Sequence, residues 1–106
     1  MPTQVHRVAY RTKTATISTV AVLISAAGWS WTAGDVDAAD AAVVSAIGQG
    51  VSMTFDGTTP TATLGVPIPA GSTVTVEGFT NVANIQLIRS GGADATVSVT
   101  LEKWPG

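Results

Sequence analysis

The chain has 106 residues, of which 45% are hydrophobic and only 11% charged, with a formal net charge of −2. That length sets one domain with a single core, and a charged fraction below half the usual ~25% leaves a free surface weakly protected against self-association. The absence of cysteine excludes disulfides, thiolate chemistry and cysteine zinc sites, and a single histidine leaves little for proton transfer.

In chain order, residues 1–13 read as an extended N-terminal arm and residues 14–106 as one β-rich domain. Within the arm Arg7, Ala9, Arg11 and Lys13 share one parity, opposite Val8, Tyr10 and Thr12. Thr14 to Ile24 continues as strand. The apolar run from Ile17 to Ala27 follows three basic residues and ends on Ser25-Ala26-Ala27, which has the look of a signal cleavage site. Thr16, Ser18, Thr19 and Ser25 interrupt the run, so the expectation is a retained strand, neither a leader nor a membrane span. A turn at Ala26-Ala27-Gly28 then leads to Trp29 and Trp31.

From Asp37 to Gly48 the period changes. Val43, Val44 and Ile47 recur at helical spacing in an alanine-rich stretch, with Asp37 as N-cap, Asp40 in the first turn, and Gly48 or Gly50 to end the helix. Strands return at Val51–Phe55 and, after an Asp56-Gly57 hairpin signal, at Ala62–Ile68, where Pro67 marks a sheet edge. Pro69-Ala70-Gly71 turns the chain into a strand at Ser72–Glu77, and Thr80-Asn81 makes a polar turn. Asn84–Arg89 and Ala95–Lys103 read as a hairpin around Gly91-Gly92. Thr96-Val97-Ser98-Val99-Thr100-Leu101 alternates strictly, as a half-buried strand does. The expected fold is all-β: a single-domain β-sandwich or Greek-key barrel with one short helix at about 37–48.

The polar residues are mostly hydroxyls, 16 Thr and 8 Ser among 14 Val and 16 Ala. They cover sheet faces without charge, which suits contact surfaces more than catalysis. His6 sits in the arm, away from any serine in a strained turn, and G-x-S-x-G is absent, so no nucleophile–base pair converges. Asp35, Asp37 and Asp40 lack the spacing of a calcium loop, and helix capping accounts for Asp37 and Asp40. No cofactor, metal site or small-molecule substrate is expected, and the chain is read as no enzyme.

Arg7, Arg11 and Lys13 form too small a cationic footprint for specific nucleic-acid binding in an acidic protein. They read as register-setting charges that dock on the acidic middle of a neighbouring copy (Asp35, Asp37, Asp40, Asp56), with Val8 and Tyr10 packing beside them. Trp29, Trp31 and Trp104 are expected as buried anchors at a core or subunit interface. The alternative for Trp29 and Trp31 is a sugar-stacking platform, which would make the chain a carbohydrate-binding or host-recognition module.

Two stretches resemble small virion proteins of tailed bacteriophages. One is Trp31-Thr32-Ala33-Gly34-Asp35-Val36 with the following Asp37-Ala38-Ala39-Asp40-Ala41-Ala42 and Gly48. The other is the run from Phe79 to Thr100, with Ile88-Arg89, Gly91 and Asp94-Ala95 in a recurring rhythm. Together they cover about half the chain; Val43-Val44 and Leu87 depart from the usual pattern. The resemblance implies a homo-oligomeric structural component of the virion, assembled in the host cytoplasm. A capsid decoration (cement) subunit bound to the major capsid protein is the first expectation; a head–tail adaptor, tail-tube or head-fibre subunit is the alternative.

Overall fold

The computed structural model describes residues 7–26, Trp29, Trp31 and 34–104. Eight strands run in order: β1 (Val8–Ile17), β2 (Val22–Leu23), β3 (Ala41–Ile47), β4 (Val51–Thr54), β5 (Val66–Ile68), β6 (Thr73–Glu77), β7 (Gln86–Arg89) and β8 (Ala95–Lys103). One five-residue helix, α1 (Phe79–Ala83), lies between β6 and β7. All pairings are antiparallel, and two four-stranded sheets form with strand orders β1-β8-β3-β6 (sheet A) and β2-β7-β4-β5 (sheet B). Only β4 and β5 are consecutive neighbours within one sheet; every other connection crosses between sheets. This is the jelly-roll arrangement of two Greek keys, so the expected all-β sandwich is what forms. No helix among the described residues is long and apolar enough to cross a membrane.

The alternation that predicted β8 is carried out residue by residue. Ala95, Val97, Val99 and Leu101 are fully buried, while Thr96, Ser98 and Thr100 face outward. Burying a valine or leucine contributes about 1.5–3 kcal/mol, and β8 sits between β1 and β3, where these side chains meet Ala42, Val44 and Ala46 in register. Sheet B supplies Val51, Met53, Leu87 and Ile68 to the same core, and Trp29 fills it at one end of the sandwich.

Three sequence expectations are overturned. The helix at 37–48 does not exist: residues 34–38 are turns and Ala41–Ile47 is the strand between β8 and β6. Ala42, Val44 and Ala46 point inward on a period of two, but alanine also occupies Ala41, so the outward set looks apolar and imitates a helix. The β-branched Val43-Val44 pair suits the pleat. The actual helix is at the predicted polar turn, Phe79–Ala83. The hairpin at Asn84–Lys103 is also absent, because β7 belongs to sheet B and β8 to sheet A. Lastly, Asp56-Gly57 does not close a two-residue hairpin. Its carboxylate accepts the Thr58 N–H at 3.0 Å, which holds the Asp56 carboxyl below its ordinary value, and the chain then runs on to residue 65 before β5 begins.

The expected arm is not separate from the domain over its described part. β1 pairs with β8 from Val8↔Lys103 to Ile17↔Ala95, broken only by a bulge between Ala9 and Arg11, and the pairing runs through the boundary expected at Lys13.

Candidate interaction surface

Strand directions place one set of connections at a single end of the sandwich. These are the entry to β1, the described residues between β2 and β3, residues 55–65, the α1 segment and the exit from β8. Seven of the eight residues singled out from sequence belong to segments at this end; Lys13 lies farther along β1.

A bulge between Ala9 and Arg11 shifts the β1 register, and this breaks the single basic face expected from parity. Arg7 lies with Glu102 and Glu77 on the outer face of sheet A, whereas Arg11 and Lys13 register with the buried Leu101 and Val99. Each arginine is engaged within the chain. Arg7 meets Glu77 at 2.8 Å and Glu102 at 3.4 Å, over the small Ala41 that stands between their strands, and its guanidinium lies 5.5 Å from the Trp104 ring centre. Arg11 approaches Asp35 at 3.6 Å. The acidic partners assigned to a neighbouring copy are therefore met, for Asp35, inside the same subunit.

Asp40 has a role that the helix reading hid. Its N–H donates to the Glu102 carbonyl, its carbonyl accepts the Gly78 N–H at 2.7 Å, and its carboxylate accepts the Trp104 N–H at 3.1 Å. One residue thus joins the end of β8 to the segment that leaves β6. From sequence Asp40 reads as part of a helix and of an acidic docking patch, while Glu77 and Glu102 are missed; the signal available is that Glu77 and Glu102 both close alternating strands on the outward parity.

Tyr10 packs against the core margin, donates its hydroxyl to the Asp35 carbonyl and carries the Lys103 ammonium 4.8 Å from its ring centre. Burial raises its hydroxyl above the ordinary tyrosine value of 10.0, reinforced by the Asp35 and Asp40 carboxylates and opposed by Arg11. A raised folded value means the stabilising contribution is complete below pH 10.0 and is lost as pH rises through the folded value. This is the chain's single tyrosine. Its phenolate absorbance is expected to titrate at higher pH in the folded protein than in denaturant, and Tyr10→Phe should flatten the alkaline fall in stability. Identical midpoints in both states would contradict the packing.

Trp29 and Trp31 stack with ring centres 6.0 Å apart and planes 12° from parallel. Trp29 is 1% exposed, so the pair presents no open two-ring platform for a sugar. Trp31 is half-buried and donates Nε1–H to the Ile24 carbonyl at 2.9 Å. Trp104 stays half exposed at 50%, as does Val8 at 45%, so of the three tryptophans Trp29 alone is a fully buried anchor.

Beyond the Arg7–Glu77–Glu102 cluster, the outer face of sheet A carries hydroxyl and aliphatic side chains. Across the sheet, Thr12, Thr100, Val43 and Thr75 form one row, and Thr14, Ser98, Ser45 and Thr73 the next. Hydroxyls pair between strands, Thr12 with Thr100 at 2.9 Å and Ser45 with Thr73 at 2.8 Å, so part of their hydrogen-bonding capacity is met before any partner arrives. The outer face of sheet B is instead covered by its own chain: Ser52 donates to the Ala62 carbonyl and Thr54 to that of Thr58, and both hydroxyls are buried.

Compared with known protein families, curated proteins and solved structures, the chain matches none. The resemblance to phage virion proteins stands on the quoted residues alone.

Proposed function

We propose that the chain is a non-enzymatic structural protein of a tailed-phage virion, and specifically a capsid decoration subunit that stabilises the head by bridging its subunits. The observation that carries this reading is the hydroxyl and methyl surface of sheet A beyond the Arg7–Glu77–Glu102 cluster at one end. Such a surface loses little on leaving water when its hydroxyls are already paired, and it offers contact area across four strands. Jelly rolls serve viral capsids and lectins among other roles, so the fold is compatible with the reading without selecting it. Contacts multiplied over many copies would supply resistance to shear even if each is weak.

The test is co-sedimentation of the purified protein with undecorated shells of its own phage, followed by imaging. Regular added density is the expected result, and binding should persist as ionic strength rises, because the two rows that dock carry no charge and the charges at the end of that face are paired within the chain. A protein that stays in the supernatant at every concentration would end the proposal.

A further inference from the structure

Sheet edges expose unpaired N–H and C=O groups, and proteins that stay monomeric guard them with bulges, inward charges, proline or shortness. Three of the four edges here are guarded. β1 carries the bulge at Ala9/Arg11 and inward-registering Arg11 and Lys13; β2 has two residues; β5 has three residues and contains Pro67. β6 has none of these devices. Its sequence is Thr73-Val74-Thr75-Val76-Glu77, and among the described residues nothing pairs on its far side.

The geometry of that edge is self-complementary. Gly78 N–H donates to the Asp40 carbonyl and Ala46 N–H to the Ser72 carbonyl. These bonds fix the alternation, so Val74 and Val76 bond inward to β3 while the backbone groups of Thr73, Thr75 and Glu77 face the open edge. An antiparallel pairing about Thr75 sets Thr75 against Thr75, Val74 against Val76, and Thr73 against Glu77. It uses all five residues, keeps the valines on the core side and separates the two glutamates. Other face-preserving registers are shorter, and one centred on Glu77 sets like charges together.

The other sheet agrees. β5 is the edge of sheet B, joined to β6 by residues 69–72, and the exposed Leu64 (51%) and Val66 (38%) stand just before it and at its start. Beside Val66 lies an open groove of about 180 Å³ lined by Met53, Thr54, Phe55, Asp56 and Val66, with most of its surface apolar. A five-residue edge spans only roughly 17 Å, so a backbone ladder alone would be weak, and this second apolar layer supplies the side-chain contact that it lacks.

We propose that two copies of this chain pair edge to edge through β6, about a two-fold axis at Thr75, with Leu64 and Val66 packing against their counterparts. The inference goes beyond the virion reading and does not rest on it. Sedimentation of the full chain should show a concentration-dependent dimer. Thr75→Pro removes an N–H that faces the open edge and should weaken the dimer at least tenfold, while Thr75→Lys does the same by charge and covers the case in which the proline variant fails to fold. Thr75→Cys, in a chain without cysteine, should oxidise to a cross-linked dimer, since a hydrogen-bonded antiparallel pair sets Cα atoms about 5.5 Å apart, within disulfide range. Thr12→Cys, on the same face at the guarded edge, should not. A strict monomer at about 1 mM, a dimer indifferent to both Thr75 variants, or a ring of three or more overturns the proposal. Shell binding by a strict monomer would remove the dimer and leave the virion reading intact.

Discussion

Trp29→Ala is expected to lower stability by about 4 kcal/mol, the range measured for deleting a large buried aromatic. In a domain of this size that corresponds to a fall in Tm of roughly 15–30 °C, and it consumes much of the ~5–15 kcal/mol that folded domains possess. The ring is 1% exposed and belongs to the core between the sheets. Its removal leaves a cavity and also unseats Trp31, which stacks on it at 6.0 Å. Ile24, Asp35 and Asp40 depend on this pair, since Trp31 holds the Ile24 carbonyl and Asp35 and Asp40 bond to the ends of β1 and β8. Trp29→Phe separates packing from hydrogen bonding. The Trp29 Nε1–H is buried and has no partner among the described residues, so phenylalanine removes a donor that is already unsatisfied and should retain most of the stability. Trp31→Phe, by contrast, strands the Ile24 carbonyl. Thermal unfolding followed by circular dichroism ranks the three; if Trp29→Phe proves as damaging as Trp29→Ala, the indole has a partner that this packing does not provide.

The same region shows what was legible in the sequence. Strict alternation located β8 and β6 because each has one buried and one hydroxyl-bearing face, and the register carries that pattern through. Residues 41–47 were misread for a physical reason. Alanine is small enough to sit on either face of a sheet, so an alanine-rich central strand loses its period. Topology was less accessible still. A glycine-rich link between two strands looks identical whether the second strand pairs with the first or crosses to the opposite sheet, and here it crosses at Ser90–Asp94. The site was legible in part. Arg7, Tyr10 and Trp104 do gather at one end, but parity could not foresee the bulge that moves Arg7 to the outer face. Nor could it show that Glu77 and Glu102 converge on Arg7 from strands two places apart. The unguarded β6 edge becomes visible only once the strand orders are known, because a five-residue Thr/Val strand reads alike at an edge and at a centre.

Gly65→Ala should cost about 3 kcal/mol, out of proportion to adding one methyl. Gly65 has φ +136, a conformation that L residues rarely adopt, and a Cβ there would lie 2.8 Å from the Met53 carbonyl oxygen. Strain of this kind costs about 1–3 kcal/mol and overpacking a further ~1–3 kcal/mol. The contact cannot relax easily, because Met53 is fully buried in β4 and paired on both sides, with Leu87 and Val66. Gly57 supplies the control: its φ is +91 but nothing lies within 4 Å of its Cβ position, so Gly57→Ala meets the conformational cost alone, on the order of 1 kcal/mol. The two differ in consequence as well as size. Gly65 is where the segment that covers sheet B rejoins the sandwich, so displacing it loosens the carbonyls of Ala62 and Thr58 from the buried hydroxyls of Ser52 and Thr54. Proteolytic cleavage within residues 58–64 should therefore speed up in Gly65→Ala and stay unchanged in Gly57→Ala. Leu64 and Val66 flank this glycine on the side assigned to the dimer, so Gly65→Ala should also weaken self-association while leaving β6 untouched. A Gly65→Ala protein as stable as the parent would mean that the covering segment lies farther from β4 than the 2.8 Å approach requires.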